Sequence, residues 1–273
     1  MVEKTLYIEI FQPFAQYRNP FTFYYAQTYP LPPKSTVIGM LQNATNRYYD
    51  PEFWKLRISI QGGFESIFWN YQQLIKGYVE IDKGLRVVNQ GKPLYNEGLK
   101  SQRTPVHHQE LFNGYLYLFI RGEENIIDQI KAFLEKPKKI LSLGRSEDII
   151  FIRNILEISD SEIEQKEAKK SVWLTYPTYL KKRIERNGNK KEFPIKNQKY
   201  PVYSIPTCVV FYNNMMPVKN KAEITKETKR SVKFETVIYT GFDYILKLSE
   251  PLKFEEFVIG DKKFRIFCEY GWL

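Results

Sequence analysis

The order in which hydrophobic periodicities follow one another constrains this chain more than any single motif. Residues 4–11 (KTLYIEIF) alternate and are rich in β-formers, which predicts a strand. Ser35 is placed as an N-cap. Val37, Ile38, Leu41 and Ala44 then fall on one helical face, so 36–48 reads as an amphipathic helix. Residues 56–61 (LRISIQ) alternate again, and 114–121 (GYLYLFIR) read as a further strand. Glu123 to Glu135 has the clearest helical pattern: Ile126, Ile127, Ile130, Phe133 and Leu134 mark one face, and Pro137 follows the end. Residues 138–143 (KKILSL) and 148–158 (DIIFIRNILEI) read as strands around the turn GRSE.

Residues 1–158 therefore read β-α-β, insertion, β-α-β, the ferredoxin-like pattern of an RNA-recognition-type domain in an α+β chain. The insertion, 62–113, is punctuated by GG, KG, DKG, QGK, NEG and TP, with short apolar pieces such as Leu85-Arg86-Val87-Val88. It is expected to project as a β-hairpin thumb or arm. From about residue 159 the pattern changes. EIEQKEAKK reads as a charged linker or short helix. Strands are expected at 171–176, 207–212, 234–240, 243–248 and 264–269, giving a smaller β-rich domain over 159–273.

Charge supplies the first functional direction. Lys+Arg number 41 and Asp+Glu 31, a net charge of +10. Residues 181–199 carry eight basic and two acidic residues, and 219–233 six and two, so these segments account for +6 and +4 and leave the rest neutral. A surplus of this sign favours a polyanion, nucleic acid before membrane, although a charge run by itself is most often a solvated loop. The longest uncharged stretch, Tyr200 to Val218, holds Pro201, Pro206 and Pro217 and is no membrane span. The opening MVEKTLYIEIF lacks the blocks of a signal peptide, which predicts a cytosolic protein. Cys208 and Cys268 are far apart in apolar runs and read as buried thiols, with no metal site.

Three segments carry candidate chemistry. YPLPPKSTVIGML (29–41) sets a proline turn before a helix N-terminus, where Lys34 and Ser35 would meet a phosphate; a plain Pro-rich helix entry uses the same pattern. LGRSE (143–147) is a glycine turn. Gly144 permits close approach, Arg145 can pin a phosphate or base, and Ser146 adds a hydroxyl; an Arg145–Glu147 surface pair is the plainer alternative. KSQRTPVHHQE (100–110) gathers Lys100, Arg103, His107 and His108. Lys100 with His107 or His108 could run metal-free RNA cleavage, or the segment is an arm touching RNA or a neighbouring subunit. Adjacent histidines on a strand face opposite sides and form no joint metal site. No Walker-type loop, GxGxxG, GxSxG, HExxH or paired CxxC occurs, so no cofactor is expected.

The alternating first strand, YPLPPKSTVIGML, RTPVHHQEL and LSLGRSEDI, in this order, resemble the fifth family of CRISPR-associated proteins (Cas-five, of the RAMP superfamily), the type I-B-like branch most. The resemblance spans roughly residues 1–158. It implies a modified RNA-recognition domain with a hairpin thumb, supplied here by 62–113, and a variable β-rich second domain. It implies a subunit of Cascade, the RNA-guided surveillance complex of antiviral defence. Such a subunit holds the 5′ handle of the CRISPR RNA and packs against a backbone subunit (family seven) and a large subunit (family eight). Target DNA near the protospacer-adjacent motif is a further partner in that setting. In the type I-C branch members cut precursor CRISPR RNA with a Tyr, Lys and His set. Lys100, His107 and His108 do not align to a complete set here. The expectation is therefore a non-catalytic RNA binder using Lys34, Ser35, Arg86, Lys100, Arg103, His107, His108, Gly144, Arg145 and Ser146, with metal-independent cleavage as the alternative.

Overall fold

The computed structural model describes residues 3–22, 25–78, 81–82, 85–86, 101–184, 191–196, 200–213, 215–241 and 245–273. Strands β1 (Glu3–Ala15), β2 (Arg57–Tyr78), β3 (Ser101–Glu123) and β4 (Phe151–Ile158) form one antiparallel sheet in the order β4-β1-β3-β2. A short strand, Tyr25–Ala26, pairs in parallel with β3 at His107 and His108. Helix α1 (Lys34–Thr45) joins β1 to β2, and α2 (Glu124–Glu135) joins β3 to β4. Both helices cover one face. Leu6, Ile8 and Ile10 of β1, with Leu116, Leu118 and Ile120 of β3, are buried against Val37, Ile38 and Leu41 of α1 and Ile127 and Ile130 of α2. The periodicity of α2 thus translates directly into its buried stripe.

The C-terminal segment adds β5 (Glu164–Ala168), β6 (Ser171–Trp173), β7 (Tyr179–Lys181), β8 (Val202–Asn213), β9 (Lys229–Tyr239), β10 (Ile245–Lys247), β11 (Leu252–Ile259) and β12 (Lys262–Phe267). They pair as β7-β9-β8, β12-β11-β5 and β6-β10. These strands share cores with the first sheet. Tyr179, Ile205, Val237 and Leu273 complete the helix-side core. On the opposite face, Tyr7, Tyr117 and Phe119 are buried under Phe257, Phe264 and Trp272.

Several boundaries depart from the sequence reading. The first helix begins at Lys34, with Pro33 rather than Ser35 at the cap position. Pro33 sits at φ −62 and ψ 154, and its missing N–H costs nothing at a helix entry. Residues 138–143 form no strand; only an isolated bridge joins Ser142 to Ile149. EIEQKEAKK contains strand β5, laid on β11 with Lys166 bonded to Glu256 at 2.6 Å. Charge on both sides of that pairing concealed it. Where the insertion is described, β2 and β3 run through it, paired from Arg57–Arg121 to Tyr78–Ser101 with one register shift between Ile75 and Gly77. The GG pair is internal to β2. Gly62 takes φ 123, and a Cβ there would lie 2.1 Å from the Tyr115 carbonyl oxygen, so the glycine permits close strand approach instead of ending the strand.

Candidate nucleic-acid interface

The GRSE turn is built around a carboxylate. Asp148 accepts from the backbone N–H of Gln16 (3.0 Å) and of Arg145 (2.8 Å), and its side chain is 1% exposed. Arg145 closes this arrangement: its Nη2 donates to Asp148 at 2.8 Å and its Nη1 to Glu110 at 2.9 Å. Glu147 lies 3.3 Å from its Nε. Arg145, expected to pin a phosphate or base or else to pair with Glu147 at the surface, is thus engaged mainly by Asp148 and Glu110. Two enclosed carboxylates need a counter-charge, and Arg145 supplies it. Gly144 is exposed at φ 117, and a Cβ there would meet the Asp148 carboxylate at 2.7 Å. Ser146 is exposed and donates to Glu147 at 3.0 Å.

Lys34 also turns inward. Its Nζ donates to the Leu273 carbonyl at 3.0 Å, and the residue is buried. Burial lowers its pKa to about 8, against the opposing field of Glu235. The phosphate-facing ammonium expected at the start of α1 is thus engaged elsewhere, because the Lys34 side chain reaches the Leu273 carbonyl. Ser35 remains half-exposed.

Ser35, Thr36, Gly39 and Asn43 of α1 line a cleft of about 390 Å³ whose other walls are Ser142, Gly144, Val209, Phe211, Tyr49, Trp54 and Arg230. The structure brings Ser35 and Gly144 together here and adds Arg230, which sequence reasoning missed. Arg230 is exposed on β9, opposite Phe211 of β8. Tyr49, at φ 64, sets its ring edge-on to Phe211 at 5.0 Å. Gly39 lies mid-helix, and a Cβ at this position would meet no atom within 4 Å. Packing does not require a glycine there, and the missing side chain leaves the α1 wall of the cleft low. The positive end of α1, a guanidinium and a glycine-smoothed wall suit a phosphate.

The histidines lie on the β2–β3 extension. His108 Nδ1 is 3.2 Å from the Gln16 side-chain amide, and burial, with Arg18 and Arg145 nearby, lowers its pKa. His107 stacks on Tyr25 at 5.4 Å and meets Tyr71 edge-on at 5.5 Å. The two rings thus have separate surroundings, as adjacent strand positions require. Arg103 lies in β3 and Arg86 in a short strand, Leu85–Arg86. Lys100 lies outside the described residues, as do 185–190 and 197–199 of the first basic segment.

A family model described as CRISPR-associated protein (Cas_Cas5) matches residues 5–231. No curated protein matches the chain. Among solved structures, a chain of a "CRISPR RNA-guided surveillance complex" is similar in fold, with TM-score 0.50 and 10% identity over 89% of this chain and 90% of that one. A second match, "Crystal structure of Cas protein", has TM-score 0.34 and 20% identity over 53% of this chain; this chain spans 58% of its length. A CRISPR protein from Archaeoglobus fulgidus matches at TM-score 0.40 and 10% identity, covering 97% and 99% of the two chains. Among the described residues, no helix is long and apolar enough to cross a membrane.

Proposed function

The chain belongs to the CRISPR-associated protein (Cas_Cas5) family, and from that premise we propose that it is the subunit of an RNA-guided surveillance complex that holds the 5′ handle of the CRISPR RNA. In that place it caps the backbone, packing against a backbone subunit of family seven and a large subunit of family eight. The sheet order β4-β1-β3-β2 with two helices on one face is read as ferredoxin-like, and the outer β2–β3 extension as its thumb. The observation that carries the reading is the cleft between α1 and β8–β9, where Ser35, Gly39, Gly144 and Arg230 converge. A handle phosphate would receive the α1 N-terminal dipole and a two-point contact from Arg230. The Lys-rich segments, including Lys181, Lys182 and Lys233, add sequence-independent attraction.

The proposal assigns binding and no cleavage. His108 is tied to Gln16, which supports a packing role. Incubating the full chain with repeat RNA in EDTA tests both parts. Bound, intact RNA is expected, and Arg230→Ala should weaken binding roughly ten- to a hundredfold, the worth of a charged hydrogen bond. Metal-independent cleavage products would overturn the non-catalytic assignment. Unchanged affinity in Arg230→Ala would remove the cleft from the RNA site.

A further inference from the structure

The outer face of the first sheet is divided. At one end Tyr7, Tyr117 and Phe119 lie buried beneath β11 and β12. Beyond that cover, Phe11 and Tyr115 are direct cross-strand neighbours on the two central strands, with ring centroids 5.2 Å apart. Phe151 of the edge strand lies 6.2 Å from Phe11. Tyr115 is 44% exposed and Phe151 51% exposed. The Arg153 guanidinium lies 5.3 Å over the Phe11 ring. Contacting aromatic rings left open beside an equally aromatic but covered half mark a surface that is covered in use.

The charge around these rings selects the occupant. Phe151 and Arg153 also line a groove of about 1040 Å³ along β4, lined as well by Glu135, Lys138 and Lys139, all exposed. The three cations outnumber the one carboxylate, and Lys139 Nζ also donates to the Tyr48 hydroxyl at 3.1 Å. Cations beside π-faces match a chain of phosphates and unpaired bases. A protein strand added to β4, which pairs only with β1 among the described residues, would use the sheet edge and leave the rings on its face uncovered.

We propose that the open half of the sheet is a stacking platform for unpaired bases of single-stranded RNA, with the RNA backbone running along Arg153, Lys138 and Lys139. The platform rests on the RNA-binding reading above but shares no lining residue with the α1 cleft. Bases stack on Tyr115 and Phe151, and the sequence tolerance of stacking makes this a site for RNA in general, separate from handle readout.

The test uses the full chain and a single-stranded RNA carrying 2-aminopurine, whose fluorescence falls when it stacks on an aromatic ring. Wild type should quench it. Tyr115→Ala and Phe151→Ala should each bind roughly five- to a hundredfold more weakly and lose the quench, while Tyr115→Phe and Phe151→Tyr keep both. The same RNA paired to its complement should not be quenched. All variants should keep the wild-type circular dichroism, since both positions are open to solvent. If wild type binds RNA with steep salt dependence but both alanine variants match it, the platform is wrong and the RNA-binding reading stands. If the alanine variants keep RNA affinity and instead lose a partner subunit, the face is a protein contact. If folded wild type binds no RNA, both readings fall together.

Discussion

Asp148 is almost fully enclosed, and Arg145 neutralises it while also reaching Glu110. Arg145→Ala should therefore destabilise the fold by about 1–3 kcal/mol, less than a fully buried pair because two backbone N–H groups still serve Asp148 and Arg145 is partly open to water. Chemical denaturation measures this; an unchanged midpoint would show the turn to be self-sufficient. Lys34 predicts the reverse sign. Its folded pKa of about 8 lies below the ordinary lysine value, so the unfolded chain binds more protons between pH 8 and 10.5. The burden on stability is complete below pH 8 and fades as the pH rises through that window. Lys34→Met should stabilise the protein by about 1–3 kcal/mol at pH 7, with the gain shrinking towards pH 10.5; the Leu273 carbonyl still receives the Ile58 N–H. A gain independent of pH would contradict the buried-charge origin. Gly39→Ala separates folding from binding. The methyl has free space, so the helix should gain about 0.5–1 kcal/mol, while handle RNA binds more weakly if its backbone passes that wall. Tighter or equal binding by the stabilised variant would place the RNA elsewhere.

At the scale of elements, the β2–β3 pair depends on Gly62. Gly62→Val places a branched side chain against the Tyr115 carbonyl at a φ that valine avoids. It should cost at least about 1–3 kcal/mol and lower the melting temperature; full tolerance would mean that the strands can separate there at no cost. The same glycine shows why the arm was hard to read. In the sequence, Gly62-Gly63 looks like a terminator, and only the partner strand reveals that it accommodates a carbonyl. Helix α2 was legible because its stripe of isoleucines is its buried face. The start of α1 was not, because Ser35 satisfied a local rule while Pro33 held the cap position. β5 was hidden for a related reason: its residues are mostly exposed and charged, and its place beside β11 is marked by the Lys166–Glu256 ion pair, which no local pattern announces. The candidate site was half legible. Ser35 and Gly144 were visible as a helix start and a turn, but Arg230 joins them only through the packing of β8 and β9 near α1.

For the whole molecule, the two segments that look like separate domains in sequence share hydrophobic cores on both faces of the first sheet. That packing brings Arg230, from the second of the two basic segments, to the cleft beside the first turns of α1. The role proposed for this site is to grip RNA phosphate. It is tested most directly by the salt dependence of affinity for a 5′-handle RNA, measured with wild type and Arg230→Ala. Phosphate contacts release counterions, so log affinity should fall linearly with log salt for both proteins. Arg230→Ala should bind more weakly at low salt and show a slope shallower by about 0.7–1, the loss of one phosphate contact. Parallel lines of equal height for the two proteins, or a wild-type affinity indifferent to salt, would mean that Arg230 holds no RNA phosphate.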